Sequence, residues 1–401
     1  MNPPFSRIWW ANILLFSFTI IFPSVTIFKK LPSPLLAIYC IIAPVSLFLL
    51  FAWILPAAAR FLSAKIGLTI LLVFSVALAL AHIFIHPLLD TDGFSIGGIR
   101  FGATDSDDAI DISLDALFSG RFPYDQKTFL NAPITPMPGA LLLAAPFYLF
   151  GITALQGVFW FALFWVLVWK MTSDIRITAS LISSMIVLSP NVIYHLITGT
   201  DYLTNGIYVL VAMVCMMKGI GQKPPVMGVF SVFVGITLAS RPHWLLLLPI
   251  MFFYAAHRAS YRLALLMILI ILFSMCLLVL PFYVVDPSNF SPLHVGQFLT
   301  IGHTFPHADI ITILCAGFLS IFLGFRYRGA SLETQLKSAF IVLALVILAG
   351  FSLASVAGGA IDLYYSHFGM FFITFGTLAT GLPLAREAFA RGSEMRTISA
   401  T

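Results

Sequence analysis

The sequence predicts an all-α polytopic membrane protein: a bundle of about twelve transmembrane helices, with juxtamembrane helices in one large external loop. Three observations carry that expectation. Hydrophobic residues make up 60% of the 401 positions and charged ones 9%, with a mean hydropathy of +1.02, which is more apolar surface than a soluble core can bury. The apolar residues are gathered into runs that reach or approach the ~20 residues needed to cross hydrocarbon. Basic residues fall in the short connections between those runs, as the positive-inside rule expects of cytoplasmic loops.

In chain order the runs lie at about 8–28, 35–57, 66–86, 154–171, 178–195, 202–217, 226–240, 244–256, 263–285, 309–325, 338–357 and 363–382. The first is too long for a signal-peptide core and has no small-x-small cleavage site, so it reads as a retained span. Arg7, Arg60 with Lys65, Lys170 with Arg176, Lys218 with Lys223, Arg258 with Arg262, Arg326 with Arg328 and Lys337, and Arg386, Arg391 and Arg396 all share one side if both termini are cytoplasmic. Only Lys29 and Lys30 break the alternation. The same parse puts 87–153, the turn Gly199-Thr200-Asp201, the loop 286–308 and the turn from Gly358 to Asp362 on the outer face. Arg241-Pro242-His243, between the two shortest runs, tops a hairpin on that face, where an arginine has to be paired or wet.

Several classes are disfavoured. The net charge of +5 comes from loop residues, and basic and aromatic side chains never cluster on a polar segment, so no nucleic acid partner is expected. Cys40, Cys215, Cys276 and Cys315 are far apart inside apolar runs, which suits neither a disulfide framework nor a zinc site. Gly97-Gly98 and Gly358-Gly359 match no phosphate loop. Internal repeats, heptads and a soluble terminal domain are not visible.

The chemistry concentrates in one segment. Asp90, Asp92, Asp105, Asp107, Asp108, Asp111, Asp115 and Asp125 place eight of the sixteen acidic residues between 90 and 125. A helix is expected from about Ser106 to Ser119, capped by Thr104 or Ser106 and ended by Gly120 in a left-handed turn. Asp108, Asp111 and Asp115 then share one face, and Ile110, Leu114, Leu117 and Phe118 the other, so the helix should lie along a membrane surface. Pro136 and Pro138 open a second, apolar helix to about Phe150, too short to be counted as a span. If that helix did cross, every later orientation would invert.

Asp105, Asp107 and Asp108 at the head of this helix have three readings. Helix amides favour ionised carboxylates while mutual repulsion raises the pKa of one, which suits a general base. The residues equally suit capping and a solvated face. Oxygen ligands at this spacing would also suit a divalent cation, magnesium or manganese. Arg241 can hold a phosphate bidentately or simply snorkel. His195, His243, His294, His303, His307 and His367 fall on or near the outer face, where most histidines only satisfy local hydrogen bonds. Tyr364, Tyr365 and His367 suit a cavity mouth or an aromatic belt.

The acidic Asp107-Asp108-Ala109 at the head of an external helix, Ser119-Gly-Arg-Phe-Pro-Tyr-Asp125, and Thr135-Pro-Met-Pro-Gly-Ala140 opening an apolar helix together resemble the first extracytoplasmic loop of the GT-C superfamily. These are integral membrane glycosyltransferases, and the bacterial branch that uses polyprenol-phosphate mannose is the most similar in pattern. Weaker similarities are Gly199-Thr200-Asp201, Leu238-Ala-Ser-Arg241-Pro242 and Tyr364-Tyr-Ser-His367. The matching part covers about fifty residues. The resemblance implies a catalytic aspartate near the start of the loop, which falls on Asp107 or Asp108, with Asp105 as the alternate. It implies a donor-phosphate contact by Arg241, helped by Arg121 or Lys127, and a substrate cavity involving Tyr124, Asp201, His243 and His367. Two departures are plain. Two spans precede the one that usually leads into the loop, and no large soluble carboxy-terminal domain follows.

The expectation is therefore an inverting glycosyltransferase of the cytoplasmic membrane with an outward-facing site, moving mannose or a similar sugar from a polyprenyl-phosphate donor to a glycan, glycolipid or protein acceptor. A lipid-sugar flippase or transporter, and a scaffold for envelope synthesis, are the alternatives.

Overall fold

The computed structural model describes residues 5–89, 94–96, 99–101, 105, 107–294 and 304–399. Asp90, Asp92, Gly97, Gly98, Thr104, Ser106 and His303 lie outside the described residues, as do the side chains of Lys30 and Arg396.

Among the described residues, eight helices are long and apolar enough to cross a membrane: Arg7–Lys29, Ser33–Ala58, Ala64–Leu89, Thr153–Thr172, Asp201–Gly219, Tyr261–Val285, Ala308–Arg326 and Leu332–Gly358. Two further segments are bent pairs, Ile175–Leu188 with Pro190–Thr198 at 87° and Leu363–Phe371 with Ile373–Glu394 at 63°, giving up to ten spans. The other two of the twelve expected runs form shorter elements, Pro224–Leu238 and the 3-10 turn Pro242–Leu247 leading into Leu248–Arg258. The first bend has a local cause. Pro190 lacks an N–H and pushes the preceding Ser189 out of the helical region, to φ −116 and ψ 89. The expectation of an all-α chain needs one amendment, because Phe94–Ile96 and Ile99–Phe101 pair as a short antiparallel hairpin.

Asp201–Gly219 is the central helix, with 78% of its apolar window buried. It packs against Thr153–Thr172, Pro224–Leu238 and Leu363–Phe371, and Gly206 lets the last of these come close, since a Cβ there would stand 2.8 Å from the Phe371 carbonyl oxygen. Large apolar side chains such as Phe61, Phe84, Phe273 and Phe318 are exposed on the periphery, an outer surface suited to lipid and not to water. The four cysteines carry no disulfide.

The two ends of the bundle differ in charge. At one end Arg386 donates to the Met171 carbonyl at 3.0 Å and pairs with Glu333, while Arg176 lies over the Phe389 ring and pairs with Asp174 at 2.7 Å. The helix Ala64–Leu89 runs from that end, where Gly67 touches Ile175 and Arg176, to the other, where His86 meets Asp107. Gly67 and His86 are roughly 28 Å apart along its axis at 1.5 Å per residue. The connections holding Arg176 and Arg386 thus meet opposite the acidic segment. Lys29, an exception to the sequence parse, stands at the acidic end, its Nζ 4.2 Å from the Tyr364 ring centre.

The acidic helix is Asp108–Phe118, and Gly120 takes φ +70 just beyond it. It buries Ala109, Ile110, Ser113, Leu114 and Ala116, mainly against Pro138–Leu149, through Leu141 and Ala144. Leu117 and Phe118, on the same apolar face, are 38% and 57% exposed, and Phe118 stacks on Tyr148 of Pro138–Leu149 with centroids 5.6 Å apart. Pro138–Leu149 has 12 residues, short of a span. Backbone hydrogen bonds dock its start: Met137 N donates to Ser240 O at 3.2 Å and Gly139 N to Ala239 O at 2.9 Å, satisfying amides that a helix end leaves orphaned. This places the floor of the acidic segment directly beside Arg241.

Candidate functional site

Asp107 directly precedes the acidic helix, yet its side chain makes no capping hydrogen bond. It is 5% exposed and turns to the end of the Ala64–Leu89 helix, where its Oδ2 lies 2.7 Å from His86 Nε2. A carboxylate can only accept, so His86 carries the hydrogen at Nε2. Oδ1 of Asp107 is buried with no hydrogen-bond partner among the described residues. One turn back, the His82 ring sits 4.7 Å from that of His86, and His82 Nδ1 donates to the Ile197 carbonyl at 3.1 Å. Gly199, at φ +70, abuts Ala154, and its missing side chain leaves the space that Asp107 occupies, since a Cβ there would lie 3.3 Å from the Asp107 Cβ.

The turn holding Gly199 leads directly into the second group. Asp201, 2% exposed, accepts from Arg241 Nη2 at 2.7 Å and from Asn205 Nδ2 at 2.9 Å. Arg241 is 8% exposed, and its Nε is buried without a partner among the described residues. Burial opposes the guanidinium charge, and Asp201 beside it outweighs that, so the group is held charged above the ordinary arginine range. The sequence requirement that Arg241 be paired or wet is met by pairing.

Tyr202 joins this pair to the histidines. Its ring centre is 5.5 Å from Arg241 Cζ, 5.9 Å from His195, 5.1 Å from His367 and 5.1 Å from Phe371, which in turn lies 4.6 Å from His243. His367 Nδ1 donates to the Tyr364 carbonyl, while His195 Nδ1 and His243 Nε2 are buried without partners among the described residues. Burial, with the Arg241 charge next to it, pushes the His243 imidazole down to about 3. Four buried polar atoms, Asp107 Oδ1, Arg241 Nε, His195 Nδ1 and His243 Nε2, therefore gather about one turn with no partner among the described residues. Such groups are uncommon and carry a desolvation cost of roughly 1–3 kcal/mol each.

The remaining expected residues are dispersed. Asp105 accepts from Thr128 Oγ1 at 2.6 Å, and Asp108 is half-buried in the first helical turn. Tyr124 is buried among Phe122, Phe282 and Phe290, and its hydroxyl donates to the Pro136 carbonyl at 3.2 Å, so it anchors the loop. Arg121 is exposed and paired with Asp115 at 2.7 Å, and Lys127 is exposed. Neither is brought to Arg241 by a hydrogen bond or ion pair. His294 bonds the Pro287 carbonyl at 2.9 Å and His307 is exposed, both apart from the Tyr202 group.

A cavity of about 440 Å³ runs along the outer side of the acidic helix, lined by Asp111, Asp115, Arg121, Gln126, Tyr148 and Thr153 among others. Thr153 adjoins Ala154, the residue that meets Gly199 beside Asp107. No group of three or more His, Cys, Asp or Glu among the described residues is placed to hold a metal ion.

Sequence reasoning missed His86 and His82, which lie in a run read only as a span. Their signal is two histidines four apart, one face of a helix, at the end that leads into the acidic segment. No protein-family model matches the chain, and no curated protein or solved structure matches it.

Proposed function

We propose that the protein is a membrane glycosyltransferase that moves a sugar, mannose or similar, from a polyprenyl-phosphate-linked donor to a hydroxyl acceptor at the acidic end of the bundle. The observation that carries the reading is Asp107: a buried carboxylate with one oxygen fixed by His86 and the other unpartnered, next to the turn that carries Asp201 and Arg241. Of the three candidate bases Asp107 is the buried one, Asp105 and Asp108 being half-buried, which supports Asp107 over them. The acceptor lies along the groove of Asp111, Gln126 and Tyr148, and the donor phosphate lies towards Arg241, whose Nε remains to be satisfied.

In the step proposed, Asp107 Oδ1 takes the acceptor hydroxyl proton as that oxygen attacks the anomeric carbon. The bond from the anomeric carbon to the phosphate oxygen breaks with its electron pair, and polyprenyl phosphate leaves already charged, so a general acid is dispensable. Aligning donor and acceptor against the floor of Pro138–Leu149 removes entropy from the barrier. The carboxylates of Asp107 and Asp201 stand at helix ends and not mid-span, which favours this over the transporter reading.

The test is transfer from radiolabelled polyprenyl-phosphate mannose in membranes. Wild type is expected to transfer, Asp107→Asn to lose about 100-fold or more, and Asp108→Asn and Asp105→Asn to keep over about a tenth of the rate. Full activity in Asp107→Asn would overturn the assignment of the base.

A further inference from the structure

We infer that His86 is the positioning residue of Asp107, and that His82 in turn sets the His86 ring; the inference rests on the transferase reading above. The carboxylate of Asp107 has two oxygens with different fates, one 2.7 Å from His86 Nε2 and one buried without a partner among the described residues. The first contact fixes the rotation of the carboxylate about its Cβ–Cγ bond, so the second oxygen is the one presented for proton transfer.

The support for His86 comes from its own helix. His82 and His86 are four residues apart and stack at 4.7 Å, the spacing at which helical side chains share a face. His82 is 9% exposed and is itself tied to the Ile197 carbonyl. Ile197 belongs to Pro190–Thr198, the helix that ends in the Gly199-Thr200-Asp201 turn. The two histidines thus form a ladder from the Asp107 carboxylate to the backbone of the helix that delivers Asp201. Both stand in a helix whose other faces are apolar and peripheral, with Ile83, Phe84 and Leu88 exposed. Such a helix has no solvation of its own to offer a polar ring, and a pair of imidazoles there costs desolvation unless it has work at the acidic segment. His82 on the same helix and Tyr194 from Pro190–Thr198 both lie within electrostatic reach of Asp107.

A purely structural contact and a positioning one differ in which part of the rate they move and in whether a replacement donor rescues it. Losing the orientation of Asp107 lowers kcat with KM little changed. His86→Gln restores an N–H donor; His86→Ala does not.

The experiment measures kcat and KM for transfer from polyprenyl-phosphate mannose by wild type, His86→Ala, His86→Gln and Asp107→Asn, with each purified variant checked for its thermal transition in detergent. We expect His86→Ala to lose on the order of 10- to 100-fold in kcat, the range for groups that orient a reactive ligand, with KM and the thermal transition little changed. His86→Gln is expected to recover most of the rate. If Asp107→Asn is inactive while His86→Ala keeps its rate, the role of His86 is overturned and the transferase reading stands. If His86→Ala and His86→Gln fall equally, or fall together with the thermal transition, the contact is structural and the inference again fails. No transfer by wild type, or full transfer by Asp107→Asn, removes the transferase premise and this role with it.

Discussion

The Arg241–Asp201 pair allows the most quantitative prediction. The carboxylate of Asp201 is buried, accepts from Arg241 at 2.7 Å and is held from the other side by Asn205, whose Oδ1 accepts from Tyr208. Asp201→Asn keeps the shape and removes the charge, leaving the Arg241 guanidinium buried without an anion. Breaking a buried pair in this way costs about 3–5 kcal/mol, far above the ~0–1 kcal/mol of an exposed pair such as Arg121–Asp115. Arg241→Met leaves the opposite orphan and should cost a similar amount. The double variant removes both charges and so should cost less than the sum of the single variants by about 2–4 kcal/mol, as buried pairs replaced together often do. The assay is reversible unfolding in mixed micelles titrated with sodium dodecyl sulfate, run as a double-mutant cycle. Single variants costing under about 1 kcal/mol, or a cycle with no coupling, would show that the pair is hydrated and refute the argument.

Two further predictions concern the floor and the histidines. Gly139→Ala would put a Cβ 2.2 Å from the Ile236 carbonyl oxygen and 2.6 Å from the Ala239 carbonyl carbon. Backbone cannot yield as a side chain does, so the variant should lose about 2–3 kcal/mol and much of its transfer, whereas Gly358→Ala, with no heavy atom within 4 Å, should be neutral in the same unfolding assay. His243 titrates from 6.5 when unfolded to about 3 when folded; its folded pKa is depressed, so the unfolded state binds the proton first. Its contribution is present above the unfolded value of 6.5 and declines as pH falls towards 3, about 1.4 kcal/mol being lost between about pH 7.5 and 5.5. His243→Gln should flatten that part of the stability profile, and an unchanged slope would count against the buried neutral ring.

Much of the architecture was readable locally. Eight of the apolar runs are helices of spanning length, because hydropathy is a property each segment carries alone and the bilayer tests it segment by segment. The acidic helix, its Gly120 end and the short Pro138–Leu149 run were equally local, whereas the 87° bend at Pro190 falls inside a run read as one continuous span. The sequence also flagged Lys29 as out of place, but not why: it faces Tyr364 at the acidic end. What the chain could not disclose was pairing across distance. Asp105, Asp107 and Asp108 are equivalent in one dimension; burial, a missing cap bond and a histidine twenty-one residues earlier single out Asp107. Arg241 is tied to Asp201 across forty residues, while Arg121 and Lys127, close to the acids in sequence, are exposed. A buried charge takes whatever partner the packing of several helices brings within about 3 Å, because leaving it unpaired costs more than any local propensity can offset. That choice belongs to the tertiary structure alone.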